Sequence, residues 1–298
     1  MYAMKNIILV AVSVFAAACY GAENHADEIV ARVLANVAKI KAACPQAVPM
    51  AFWDFDGTII RGDISEGVEI VDGQRVKLYK GLIERTIESG LNSVYSANGG
   101  WEQFWNRDYP RLEEIGRWVA WPFIAQMYHG QSADKLDAFC EAECEKVYRK
   151  WYFTSSMKIW QALEKAGVEN YVVSASPEIF VRNTAKSLGV PSCRCRGIKV
   201  EIDGGYLTAK VVYPIPNGEG KVENVRELVL ARPDGVAVAA FGNSYSTDAA
   251  FLRYVATQPS LPGGAKGTAV MINGGKVVPG YTEHFVTVTQ AEVVGETD

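Results

Sequence analysis

The sequence predicts an α/β fold, a doubly wound parallel sheet core carrying an inserted helical cap domain. Three observations lead there. Apolar runs of strand length recur at Val48–Trp53, Val168–Val173, Val236–Phe241 and Thr268–Ile272, most of them flanked by glycine. Segments with helical periodicity alternate with these runs, and strand–helix alternation implies parallel strands joined by crossovers. Between Val71 and Tyr152 no such run occurs, although the stretch is rich in aromatics.

A chain of 298 residues suits one large domain or a core with an inserted lobe. Apolar residues make up 49% and charged residues 21%, the balance of a soluble globular protein. A net charge of −4 argues against nucleic acid or an anionic membrane as a general partner.

Near the start, Lys5 precedes an apolar stretch from Ile7 to Ala18 that ends in small residues. It is too short to span a bilayer and has the form of an export signal, so residues 1–21 are expected to be a signal peptide and the protein exported, periplasmic or extracellular. Ala16-Ala17-Ala18-Cys19 is also similar to a lipoprotein cleavage box, with Ala16 where a larger aliphatic is usual. A lipid anchor at Cys19 is then the one route to a membrane. The other cysteines, Cys44, Cys140, Cys144, Cys193 and Cys195, lack the histidines or paired CxxC spacing of a zinc site and are read as structural. An oxidising compartment permits bridges among them, but their connectivity and the oligomeric state are not legible here.

In order, Glu23–Ala43 places Ile29, Val33, Leu34, Val37 and Ile40 at helical spacing. The strand Val48–Trp53 follows, then a short polar segment Arg61–Gly67, then helical material from Val68 onward. Residues 71–152 are taken as the cap, and 22–70 with 153–298 as the core. The core resumes with a helix from Ser155 to Ala166, closed by Gly167, then the second strand and a helix begun by Pro177 and ending near Leu188. Cys193–Tyr213 alternates around Asp203-Gly204-Gly205, the pattern of a hairpin. A helix opens at Gly218-Glu219-Gly220-Lys221, and Thr247–Tyr254 is a further helix beyond the third strand.

The chemistry concentrates where the strands end, the face on which open α/β sheets build their sites. Asp54 and Asp56 alternate along the chain and so share one side, with Phe55 turned away. Two carboxylates emerging together repel, and burying them needs a cation, for which a hard, oxygen-loving ion is expected. One carboxylate can attack as a nucleophile while the other moves a proton.

Asp54-Phe55-Asp56-Gly57-Thr58 resembles the first signature of the haloacid dehalogenase-like phosphohydrolases. Three further segments in order extend that resemblance: Ser174 after Tyr171-Val172-Val173, Lys221 at a helix start, and Phe241-Gly242-Asn243 with Asp248. Together they span most of the chain after the leader. The resemblance implies a Rossmann-like core, Asp54 as nucleophile forming an aspartyl-phosphate, and Asp56 as the acid–base group. It implies Ser174 and the Ala175 amide as phosphate ligands, and Lys221 as the residue offsetting phosphoryl charge. It implies Mg²⁺ held by Asp54, Asp56, Asn243 and Asp248. Asn243 departs from the aspartate usual in the family, and Asp248 is either a direct ligand or a group that orients its neighbours. Asp56 speaks for phosphatase rather than dehalogenase chemistry, since the dehalogenases lack the second aspartate.

Within the family, Ser174-Ala175-Ser176-Pro177 and the helical insertion look most like the phosphoserine phosphatase branch. Export disfavours a role in serine biosynthesis, so phosphorylcholine or a similar small cationic phosphomonoester is the expected substrate. Asp63 or Glu66 would meet the cationic nitrogen, although either could simply cap the next helix. Trp101 and Trp105, at i and i+4 with Tyr109 at i+8, would offer aromatic faces to it, although such a stripe can equally form the cap's own core. Phosphoserine phosphatase-like activity, or an exported binding protein with a degenerate site at Asn243, is the alternative.

Overall fold

The computed structural model describes residues 25–259, 261–274, 278–281 and 283–296, so the expected leader 1–21 and Cys19 lie outside the described residues. Among the described residues no helix is long and apolar enough to cross a membrane.

The core is a seven-stranded sheet in the order β6-β5-β4-β1-β7-β8-β9. Its strands are β1 (Val48–Trp53), β4 (Glu169–Pro177), β5 (Cys195–Asp203), β6 (Tyr206–Val212), β7 (Gly235–Gly242), β8 (Thr268–Ile272) and β9 (Phe285–Val288). All neighbours pair in parallel except β5 with β6, the hairpin closed by Gly204-Gly205. The central strand β1 is buried along nearly its whole length, which is why it reads as a continuous apolar run.

Both faces of the sheet are covered, so the chain is doubly wound. On one face Met50, Phe52 and Val173 pack with Val222, Val225 and Leu228 of α9 (Glu219–Ala231) and with Phe251 and Leu252 of α10 (Ala249–Ala256). On the other, Ala51 and Trp53 join a core that includes Ile29 and Val33 of α1 (residues 25–43), Ile159 and Trp160 of α7 (Thr154–Lys165) and Phe180 of α8 (Glu178–Lys186). Trp53 anchors this face, stacking on Phe241 at 3.7 Å and donating its indole N–H to Asn170 Oδ1 at 3.0 Å.

Two expectations need correction. Residues from Val68 were expected to be helical, but β2 (Val68–Val71) and β3 (Gln74–Lys77) form an antiparallel hairpin. Asp72 and Gly73 between them both have positive φ, 52° and 78°, the backbone of a two-residue hairpin turn. The second correction is at the sheet edge, where β9 adds a strand that the sequence reading left out.

The helical stretch expected to form the cap holds α2 (Leu82–Glu88), α3 (Gly100–Gln103), α4 (Tyr109–Ile115), α5 (Arg117–Gln126) and α6 (Ala133–Glu143). Helix α5 packs on β4, β5 and β6, and α6 packs on α8. Its apolar residues, among them Ile83, Phe104, Leu136 and Tyr148, are continuous with the core beside the sheet. Cys44, Cys140, Cys144, Cys193 and Cys195 are all unpaired thiols.

Candidate active site

The ends of β1, β4 and β7 meet the start of α9 beneath the hairpin β2–β3 and helices α4 and α5. A cavity of about 600 Å³ opens there, lined among others by Asp54, Asp56, Asp63, Glu66, Ala175, Ser176 and Asn243.

Asp54 continues β1, its backbone N–H donating to Phe241 O at 2.8 Å, so β7 fixes where the carboxylate emerges. Lys221 Nζ donates to Asp54 Oδ1 at 2.5 Å and to Asp248 Oδ1 at 2.6 Å. This lysine is 0% exposed, so its ammonium is held by the carboxylates and not by solvent. The two carboxylates hold the ammonium charged and raise its pKa against the cost of burial. Burial and the charge of Asp248 still push Asp54 up to about 7, even against the pull of Lys221. Thr58 Oγ1 donates to the other Asp54 oxygen at 3.3 Å.

Asp56 is held from both ends. Its Oδ1 accepts the Ile64 N–H at 2.7 Å, and its Oδ2 accepts the hydroxyls of Ser176 at 2.7 Å and Ser174 at 3.3 Å. Burial, with the charge of Asp63 added, pushes Asp56 up to about 7 despite these bonds. Ser174, expected to face the phosphate, is fully buried with its hydroxyl on Asp56, while Ala175 and Ser176 line the cavity. Ser176 is the residue that sequence reasoning missed; its signal was the second serine of Ser174-Ala175-Ser176, two places along the same strand end.

Asp248 is bound into the loop after β7. Its Oδ2 accepts the backbone N–H groups of Asn243 and Ser244, each at 2.9 Å, and its Oδ1 takes Lys221 and the Thr247 hydroxyl. At 0% exposure and with both oxygens engaged, Asp248 orients the loop, whereas Asn243 lines the cavity. Asn243 sits against Gly57: a Cβ on Gly57, whose φ is +69°, would fall 1.9 Å from Asn243 Nδ2.

Among the described residues no group of three or more His, Cys, Asp or Glu side chains forms a ready metal site. The cavity wall carries the carboxylates of Asp54, Asp56, Asp63, Glu66, Glu69 and Glu113, which outnumber its cations Arg75 and Arg117 together with the buried Lys221 on Asp54. A hard divalent cation fits that excess of oxygen and negative charge.

Farther along the wall, Asp63 Oδ1 accepts the N–H groups of Ser65 and Glu66 at 2.7 and 2.8 Å. It therefore closes the turn before β2 and caps no helix. Burial and the neighbouring Glu66 push it up to about 7. Glu66 is also raised by burial, against the Tyr109 hydroxyl and the Arg75 guanidinium. Trp101 and Trp105 are not part of the cavity wall. They stack on each other at 5.2 Å, with Lys77 4.5 Å above Trp101 and Arg75 5.4 Å above Trp105. The protein's own cations cover these faces, and among the described residues Tyr109, Trp121, Phe153 and Tyr245 are the aromatics that line the cavity, with Arg75 over Tyr109 and Arg117 over Trp121.

No curated protein matches the chain. Among solved structures, a protein of unknown function from Bordetella pertussis Tohama I is similar over 80% of this chain and 94% of its own, at 17% identity and a TM-score of 0.59. A HAD family hydrolase from Salmonella enterica serovar Typhi is similar over 82% of this chain and 68% of its own, at 15% identity and a TM-score of 0.47. A phosphoserine phosphatase with a phospho-aspartyl intermediate analogue is similar over 84% and 97%, at 13% identity and a TM-score of 0.47. The family model of the haloacid dehalogenase-like hydrolases matches residues 51–253, a span that begins in β1 and ends in α10 and so takes in Asp54 through Asp248. By that match the chain belongs to the haloacid dehalogenase-like hydrolase family.

Proposed function

We propose that this protein is a Mg²⁺-dependent phosphatase of small phosphomonoesters, with an aspartyl-phosphate formed on Asp54. The observation that carries the reading is the pairing at the cavity floor: Asp54 against buried Lys221, and Asp56 beside it in a collar of donors. Asp54 attacks phosphorus and the bond from phosphorus to the ester oxygen breaks. Asp56, with a pKa near 7, carries a proton to the departing alcohol. It then takes a proton from water as the water oxygen bonds to phosphorus and the bond to Asp54 breaks, freeing phosphate. Lys221 offsets the charge that gathers on Asp54 and the phosphoryl oxygens. Mg²⁺ would be held by Asp54, the Asp56 backbone carbonyl and Asn243, and would supply further charge neutralisation.

For the substrate we favour an ester with a cationic nitrogen, phosphorylcholine first. Glu66 and Asp63 bring to the cavity wall the carboxylates that would meet the nitrogen, and Tyr109, Trp121, Phe153 and Tyr245 supply its aromatic surface, where Arg75 already lies over Tyr109 and Arg117 over Trp121. The cap residues 71–152 contribute Tyr109 and Trp121, the core contributes the carboxylates, and the leader-like residues 1–21 favour action outside the cytoplasm. The test is phosphate release by the mature protein from phosphorylcholine, phosphoserine and phosphoethanolamine, with Mg²⁺ or with chelator, beside Asp54→Asn. Release that needs both Mg²⁺ and Asp54 supports the chemistry, and preference for phosphorylcholine supports the substrate. Release from another ester discards the choline assignment. Ligand binding without release from any ester would leave a binding protein.

A further inference from the structure

Granted the phosphatase reading above, we infer that Ser176 is a positioning residue for proton transfer, holding Asp56 toward the reacting oxygen, and that Ser65 holds Ser176. Ser176 gives Asp56 Oδ2 its shorter hydroxyl bond, 2.7 Å against 3.3 Å from Ser174. Ser65 Oγ donates in turn to Ser176 Oγ at 3.1 Å. A serine hydroxyl has one hydrogen, so a Ser176 oxygen that accepts from Ser65 is left to direct its own hydrogen at Asp56. The same count applies to Ser174, whose Oγ accepts the Ser176 N–H at 3.1 Å. Ser65 is itself fixed by the Asp63 carboxylate through its backbone N–H. Ser65 and Ser176 are 2% and 6% exposed, so water competes little for these bonds.

The chemistry asks one carboxyl group for two proton transfers at nearly one place. In the first, the proton moves from Asp56 to the ester oxygen as the bond between that oxygen and phosphorus breaks. In the second, it moves from water to Asp56 as the water oxygen bonds to phosphorus. A carboxyl free to turn would meet neither oxygen reliably, and fixing it removes that cost.

The test compares Ser176→Ala and Ser65→Ala with the parent in a first turnover, following alcohol release from two esters. One is whichever of phosphorylcholine, phosphoserine and phosphoethanolamine the parent cleaves fastest. The other is p-nitrophenyl phosphate, whose phenolate departs without a proton. For Ser176→Ala the alkyl rate is expected to fall roughly tenfold and the aryl rate by less than about threefold, with KM nearly unchanged. Ser65→Ala should show the same split at smaller size, and it keeps the test open if Ser176→Ala fails to fold. In an active parent, equal losses on both esters or no loss on either would overturn the positioning role and leave the phosphatase reading standing. A parent inert toward every ester would overturn the phosphatase reading itself.

Discussion

Lys221 and Asp54 form a buried ion pair at 2.5 Å that ties the first turn of α9 to the end of β1. Because Asp248 shares the same ammonium at 2.6 Å, one lysine joins the strand end to the loop after β7. Removing it leaves two carboxylates facing each other without a cation. Lys221→Met is expected to destabilise the fold by roughly 3–5 kcal/mol, the range for breaking a buried charge pair from one side. Urea denaturation checks this, and phosphate release should vanish in whatever fraction stays folded.

The same crowding sets the response to pH. Asp54 ordinarily titrates at 3.8 but is pushed up to about 7 in the fold. Between those values the folded chain holds a proton that the unfolded chain has lost, so stability is greatest below about pH 4 for this group and declines as pH rises to about 7. The interval is on the order of 4 kcal/mol for Asp54, at about 1.4 kcal/mol for each pH unit. Denaturation in chelator should therefore show a less stable protein at about pH 8 than at about pH 5. Mg²⁺ should restore stability at the higher pH, where the carboxylates are ionised, and have little effect at the lower one. An unchanged midpoint at both would count against a metal at this site.

Asn243 lies in the wall where the family more often has aspartate. Asn243→Asp adds a carboxylate to an all-oxygen donor set, and half-maximal Mg²⁺ for phosphate release is expected to fall roughly tenfold. The opposite effect should follow from Gly57→Ala. That methyl group would meet the Asn243 amide at 1.9 Å and force it away, at a backbone with φ of +69°. Mg²⁺ titration of both variants decides the matter: a Gly57→Ala protein with unaltered metal dependence would remove Asn243 from the site.

The fold was legible wherever burial on two faces wrote a continuous apolar run, as in β8, whose bounds Thr268–Ile272 match the expected run. Four motif stations were legible because each sits at a strand or helix end. The hairpin β2–β3 was not, although Asp72-Gly73 is a recognised hairpin turn, because four-residue strands with every β3 residue exposed carry no core pattern. Trp101 and Trp105 left two readings open for a related reason. Helical spacing shows that aromatics share a face, but Lys77 and Arg75, which cover that face, come from a separate element. Ser176 was hidden because its importance is a hydrogen-bond distance and not a residue type.

Arg117 Nη1 donates to Ser246 Oγ at 2.7 Å, linking the first residue of α5 to the loop that carries Asn243 and Asp248. Both residues line the cavity, and the guanidinium also lies 5.0 Å over Trp121. The link joins two parts of the cavity wall, yet it is exposed and worth only about 0.5–1.5 kcal/mol. Arg117→Ala should therefore raise KM about three- to tenfold and lower kcat less, since the groups that transfer protons stay in place. Ser246→Ala should do the same if the bond itself matters. In the double variant the losses should not add, because each change removes the same interaction. Additive losses would mean that Arg117 acts through Trp121 or directly on the substrate, and steady-state kinetics of the parent and the three variants distinguishes these outcomes.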